Sequence, residues 1–351
     1  MPRNRTTEHK TGERLARSPW LTDATRRRML NALRKHDADS VRLNQAVVRE
    51  LRALRSEYRR TVAALMGPAG ARRFRALRNE MAEAPRAHRF RASRALLDTI
   101  GFNHERADRL RKQYLAATSK LLRFRDFQIP LDRIVVDDRC SPNVTYTAPY
   151  DGFSSGFSWS RSDEADDPEL TLYLDMATGE CGSAIKTRLS GADDDDDVTV
   201  DVLTGLRVWH TAQATGPLEG YIAFEFNTST YSGTVSDEWG FSDATFSQFA
   251  RASLRVLNTD GVIDQFESRI FNFIDTSWGG SGTSWNNFVS TPRDIHYYYF
   301  RTEASFAQGS SLMLEAGVHH MSWFIANDMS IKTADDLNLR LDRIVVRSCP
   351  E

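Results

Sequence analysis

The sequence predicts a segregated α+β protein: an all-α helical bundle or short coiled coil at the N-terminus, then an antiparallel, jelly-roll-like β-sandwich. Three observations carry this prediction. Before residue 125, apolar residues recur at spacings of three and four, and Gly and Pro fall where helices stop. From residue 131 the period becomes two, in short runs bounded by turn residues. The charge reverses at the same place: residues 1–129 hold 31 Lys and Arg against 13 Asp and Glu, net +18, and residues 130–351 hold 15 against 34, net −19. The domains are therefore drawn as 1–129, basic and arginine-rich, and 130–351, acidic.

About five helices are expected in the first part. One runs near 23–36 from the capping residue Thr22, and a second near 40–66 from Asp39 and Ser40 to the break at Gly67-Pro68-Ala69-Gly70. A third ends before Pro85, a fourth closes at Gly101 as a left-handed cap, and a fifth starts at Asn103. The second places Val47, Leu51, Leu54, Tyr58, Val62 and Leu65 on one stripe, with Arg49, Arg52, Arg55, Arg59 and Arg60 on its other faces. The fifth carries a seam of Ala107, Leu110, Tyr114, Ala117, Leu121 and Phe124, suited to pairing with another helix.

Ten to twelve strands are expected after residue 130. Val198, Val200 and Val202 alternate with polar neighbours, as do Ala250, Ala252, Leu254 and Val256, and then Leu312, Leu314, Ala316 and Val318. Asn258-Thr259-Asp260-Gly261 reads as a hairpin turn, and Ala307-Gln308-Gly309-Ser310 separates two further runs. Leu131-Asp132-Arg133-Ile134-Val135-Val136 recurs letter for letter at 341–346, and each copy is followed by a cysteine, Cys140 and Cys349. The first and last strands are thus expected in equivalent or adjacent places, with the two cysteines near each other; a reducing cytoplasm would leave them as buried free thiols.

Composition excludes several classes. The chain is 40% hydrophobic and 26% charged, with no 18-residue apolar run to span a bilayer. Its first thirty residues are charged throughout, without the apolar core of a secretory signal, so a cytoplasmic location is expected, export by another route being left open. Three cysteines lack the spacing of a disulfide scaffold or a zinc knuckle.

Candidate sites are few. Gly152-Phe153-Ser154-Ser155-Gly156 matches the hydrolase nucleophile elbow but lies among short strands, where that strand-turn-helix motif has no place. Asp193 to Asp197 form an acidic run in which Asp193, Asp195 and Asp197 offer oxygen ligands to Ca²⁺, against the reading of a solvated loop; no other cofactor is expected. His319 and His320 point to opposite faces of a strand and cannot share one metal in regular geometry; His210 and His296 are free to approach either, but with no metal-ligand spacing the four read first as core or surface histidines. Trp278 and Trp285, in a Gly/Ser-rich loop, with Trp239 in another, are candidates for stacking on a ligand such as a sugar; the alternative is that they plug the ends of the sandwich.

No catalytic set emerges, so the sequence reads first as a non-enzymatic structural or interaction protein. Its basic helices, with Arg49, Arg52, Arg55, Arg59 and Arg60, would dock on a protein partner, on a second copy or on the acidic half. A second reading, in which residues 1–129 bind nucleic acid, resembles the layout of viral coat proteins with basic N-terminal segments and jelly-roll bodies. A third is a glycan-binding or glycan-acting protein that works through its sandwich loops.

Overall fold

The computed structural model describes residues 5–15, 22–81, 84–121, 139–163, 165–190, 196–237, 243–261, 263–278, 283–327 and 329–350. Strand β1 (Arg5–Leu15) precedes four helices, α1 (Asp23–Ala64), α2 (Gly67–Glu80), α3 (Arg86–Thr99) and α4 (His104–Leu121). The strands that follow begin with β2 (Val144–Tyr146), β3 (Gly152–Ser162), β4 (Glu169–Asp175), β5 (Glu180–Leu189), β6 (Asp196–Thr211) and β7 (Gly216–Asp237). They continue with β8 (Asp243–Asn258), β9 (Ile263–Trp278), β10 (Thr283–Phe288), β11 (Ile295–Phe306), β12 (Ser311–Asn327) and β13 (Met329–Ser348).

The helices begin and end largely where the chemistry asks. Thr22 caps α1, its side chain accepting from the Thr25 N–H at 3.2 Å. Gly101 takes a φ of 65° after α3, and Asn103 Oδ1 accepts the Arg106 N–H at 2.8 Å ahead of α4. The expected break at Asp39 and Ser40 is absent. Neither Gly nor Pro interrupts 23–64, and the Asp39 carboxylate pairs with Arg42 one turn on, at 3.1 Å, rather than capping a new helix. Helix α1 therefore runs unbroken through both of the first two expected helices and, at 42 residues, is about 63 Å long.

Sheet A has the order β1-β3-β6-β12-β8-β9, and sheet B has β10-β7-β13-β5-β4, with β11 also paired to β7 and β2 to β13. Every strand pairing among the described residues is antiparallel. The two sheets stack as a sandwich over Leu206, Phe224, Phe226, Leu254, Leu314, Leu339 and Val346, with a second cluster around Val198, Val200, Phe246, Phe324 and Ile331. The turn at 258–261 closes the β8–β9 hairpin, as its sequence indicates. The turn at 307–310 instead carries the chain from β11 in sheet B to β12 in sheet A.

Strand β1 departs from the all-helical expectation for residues 1–129. It pairs along its whole length with β3, from Arg5↔Ser162 to Leu15↔Gly152, and Trp159 Nε1 donates to Glu8 at 3.1 Å. The partner's open edge, not an apolar period in the segment itself, specifies this strand.

Helix α1 lies along the outer face of sheet A. Met29 and Leu33 pack on Leu257 and Met313, and farther along Val48 and Leu51 pack on Phe249, Met321, Trp323 and Ile325. Strand β12 is thus apolar on both faces: odd residues meet the helix and even residues meet sheet B. Beyond the sheet the same stripe of α1 continues through Tyr58 and Val62 onto α3 and α4, where Tyr58 stacks on Tyr114 at 4.7 Å. None of the described helices is long and apolar enough to cross a membrane.

Candidate functional site: the outer face of sheet B

The two sheets differ in what covers them. Sheet A carries α1 on its outer face, whereas no described helix packs on sheet B. On that open face β11, β7 and β13 lie side by side, and register and alternation set their outward residues in four rungs. These are Ile295, Glu225 and Arg340; Tyr297, Ala223 and Arg343; Tyr299, Tyr221 and Val345; and Arg301, Glu219 and Arg347.

The two middle rungs are aromatic and the two end rungs are ionic. Tyr221 meets Tyr297 at 5.4 Å with an interplanar angle of 74°, and Tyr299 at 5.6 Å and 59°. Ala223 and Val345, both buried, form the floor between the rings, while Tyr297 is 49% exposed. At one end Arg347 Nε donates to Glu219 at 2.8 Å, with Arg301 on the other oxygen of that carboxylate at 3.7 Å. At the other end Arg340 pairs with Glu225. Arg343 donates to Asp342 at 2.6 Å, and that carboxylate, with Tyr221 and Tyr297 also nearby, raises the pKa of its guanidinium. Burial and then the neighbouring Tyr221 and Tyr297 push the Tyr299 phenol up, so that ring stays neutral at physiological pH. Farther along β13, Asp336 accepts from the Tyr173 hydroxyl at 3.1 Å and from Thr228 at 2.9 Å, and Asn338 donates to Glu180 at 2.5 Å. Such a surface offers apolar ring faces bordered by fixed hydrogen-bond acceptors and donors.

These residues escaped the sequence reading. The alternation of Ile295, Tyr297, Tyr299 and Arg301 marks a strand, but only the position of β11 in sheet B shows that this set faces outward.

The described residues among those singled out from sequence lie elsewhere. Trp285, half-buried, lies flat on Phe246 at 4.3 Å and 2°, and its Nε1 donates to Gln248 Oε1 at 2.8 Å. That is the plug geometry. Trp278 ends β9 with its backbone opposite Asp243, and Trp239 is outside the described residues. Asp193 and Asp195 are also outside them, and Asp197 is buried against Arg52 of α1. Arg55 is fully buried and donates to the Ile325 carbonyl at 2.6 Å, Arg59 is half-buried, and Arg49 and Arg60 face solvent. Two of the five arginines thus fasten α1 to the acidic sandwich of the same chain.

Ser154, of the elbow-like motif, sits inside β3, opposite Gly205 of β6, with no helix after it. A Ser, His and Asp do meet elsewhere: Ser183 Oγ is 2.9 Å from His320 Nδ1, and His320 Nε2 is 3.7 Å from Asp335. All three are at most 2% exposed between the sheets, so no substrate reaches them, and they act as a polar tie within the core. His319 faces the other way, as alternation requires, between Asp201 at 2.7 Å and Glu267 at 3.6 Å. His210 and His296 do not share partners: the first bonds Tyr146 at 2.8 Å and the second Ser290 at 2.8 Å. Burial pulls His210 down to about 4, which keeps it neutral.

Cys140 and Cys349 form a disulfide beside Glu219. The described copy of the repeat, at the end of β13, runs opposite β2 through Ile344↔Tyr146, and the cysteines meet just beyond it. This corrects the expectation of two free thiols: the strands that bracket the sandwich end side by side and present the sulfurs to each other. Cys181 is the free cysteine, and it is buried.

No family model and no curated protein matches the chain. Among solved structures it is similar to TmCBM61 in complex with beta-1,4-galactotriose, at 9% identity and a TM-score of 0.15, over 49% of this chain and 86% of that one. A carbohydrate binding module from Cellvibrio mixtus lichenase 5A in complex with cellotriose matches at 11% identity and a TM-score of 0.11, over 52% of this chain and 95% of that one. The enzymatically active domain of tailspike protein 4 of bacteriophage CBA120 matches at 9% identity and a TM-score of 0.17, over 54% of this chain and 19% of that one.

Proposed function

We propose that the protein is a non-enzymatic recognition protein that binds carbohydrate on the outer face of sheet B, with its N-terminal helices backing sheet A. The observation that carries this reading is the group of Tyr221, Tyr297 and Tyr299 on a sheet face that no described element covers. A phenol ring combines an apolar face with a polar rim, and a sugar ring likewise presents C–H groups on its faces and hydroxyls at its edge. The ion-paired carboxylates at the border, Glu219 and Asp342, accept hydrogen bonds from those hydroxyls.

The test is a glycan array probed with the intact protein and with a Tyr297→Ala/Tyr299→Ala variant. Both rings stand on the surface, so the variant keeps its fold, which circular dichroism checks. The wild type is expected to retain at least one glycan, and the variant to bind it at least about tenfold more weakly. Equal binding by the two proteins, or no glycan retained by either, overturns the reading.

A further inference from the structure

Resting on that reading of sheet B, we propose that its ligand is a single uncharged glycan chain, not an acidic polysaccharide and not the flat face of a crystalline one. Two independent features select this class.

The first is charge. Recognition of a uronate, sulfate or sialate calls for a guanidinium free to close on the anion. Every arginine on the four rungs already has a carboxylate on the same face: Arg301 and Arg347 share Glu219, Arg340 holds Glu225 and Arg343 holds Asp342. An anionic sugar closing on any of these guanidinium groups would come to rest beside the carboxylate already there, and that like charge opposes binding. Hydroxyls meet no such obstacle. They donate to the carboxylate lone pairs that the arginines leave open and disturb neither partner.

The second is ring orientation. A flat crystalline surface demands coplanar rings, whereas Tyr297 and Tyr299 are inclined to Tyr221 by 74° and 59°. They make the walls of a shallow trough over Ala223 and Val345, closed by ion pairs at rungs about 20 Å apart. A free chain that twists from one sugar to the next offers its faces at such changing angles.

Affinity electrophoresis and pull-down with the full chain test this against soluble neutral polysaccharides (a mixed-linkage glucan, a galactan and a xylan), polygalacturonate, and microcrystalline cellulose, in 0.15 M salt. The expected result is retardation by at least one neutral soluble polymer, binding at least about tenfold weaker to polygalacturonate and cellulose, and loss of retardation in Tyr299→Ala. Binding to polygalacturonate or cellulose that Tyr299→Ala abolishes overturns the uncharged-chain proposal and leaves carbohydrate recognition standing. Failure to bind any of these polymers or any arrayed glycan removes carbohydrate recognition and this proposal with it.

Discussion

Arg255 on β8 and Glu315 on the neighbouring β12 meet side by side beneath α1, both 3% exposed, with Arg255 Nε donating to Glu315 Oε1 at 2.9 Å. Arg207 approaches the other oxygen of Glu315 at 2.6 Å, and Arg255 extends outward to Asp37 of the helix. Helix and sheet are thus joined through a chain of charges that runs from buried Arg207, Glu315 and Arg255 to the half-buried Asp37. Replacing Glu315 by Gln leaves two guanidinium groups buried beside a neutral amide, and a loss of about 3–5 kcal/mol is expected in urea unfolding. A loss below about 1 kcal/mol would mean that water screens the cluster.

A second charged group on the same face makes stability depend on pH in both directions. Burial alone would raise the Glu315 and Glu267 carboxyls. Arg255 and Arg207 for the first, and His319 and Arg251 for the second, outweigh it and hold each at about 2. Their contribution is present above pH 4.5 and is lost as pH falls toward 2. Burial alone would lower His319, but Asp201 and Glu267 raise it to about 10, so its contribution is present below pH 6.5 and is lost as pH rises toward 10. Unfolding free energies measured from pH 3 to pH 10 should therefore be greatest near pH 4.5–6.5. In His319→Gln the alkaline decline should flatten while the acid decline persists.

Alternation and turn chemistry made the sandwich legible. Leu312, Leu314, Ala316 and Val318 do face the core, and the caps at Thr22, Gly101 and Asn103 stand where the sequence puts them. What stayed hidden is decided by neighbours distant in the chain. That Arg52 and Arg55 fasten onto sheet A depends on where α1 lies, and that 5–15 is a strand depends on the edge of β3. The tyrosine rungs were invisible for the same reason, because alternation separates two faces without telling which one a helix covers.

The disulfide closes a sequence separation of 209 residues, so in the chain-entropy account it contributes up to about 5 kcal/mol. Cys140→Ser/Cys349→Ser, or reduction of the wild type, should shift the urea midpoint downward by a corresponding amount. Burial pushes the Cys181 thiol up and out of reach, so a thiol reagent should find nothing reactive in the native oxidised protein, one group after unfolding, and three after unfolding with reductant. Two or more thiols in the oxidised, unfolded protein would contradict the pairing.

Trp285 is held from several sides: Phe246 beneath it, Phe273 beside it and Gln248 on its nitrogen, with Gly233 directly opposite. A Cβ at Gly233 would run into the indole. Trp285→Ala should lower unfolding free energy by about 3 kcal/mol, and Gly233→Ala should reproduce much of that loss while shifting tryptophan emission to the red. If Trp285→Ala left the melt unchanged and abolished ligand binding, the indole would belong to the recognition surface.

Helix α1 gives the molecule a clad side and a bare side. Sheet-to-sheet and helix-to-sheet spacings of about 10 Å each put roughly 20 Å of protein between the tyrosines and the helix axis. Whatever sheet B rests on, the solvent-facing Arg49 and Arg60 stand on the far side of the slab. With eleven Lys and Arg in α1 against five Asp and Glu, a molecule lying down on a polymer would therefore show the surrounding solution a net cationic back, and a layer of such molecules would give an uncharged surface a positive outer face without altering the polymer beneath.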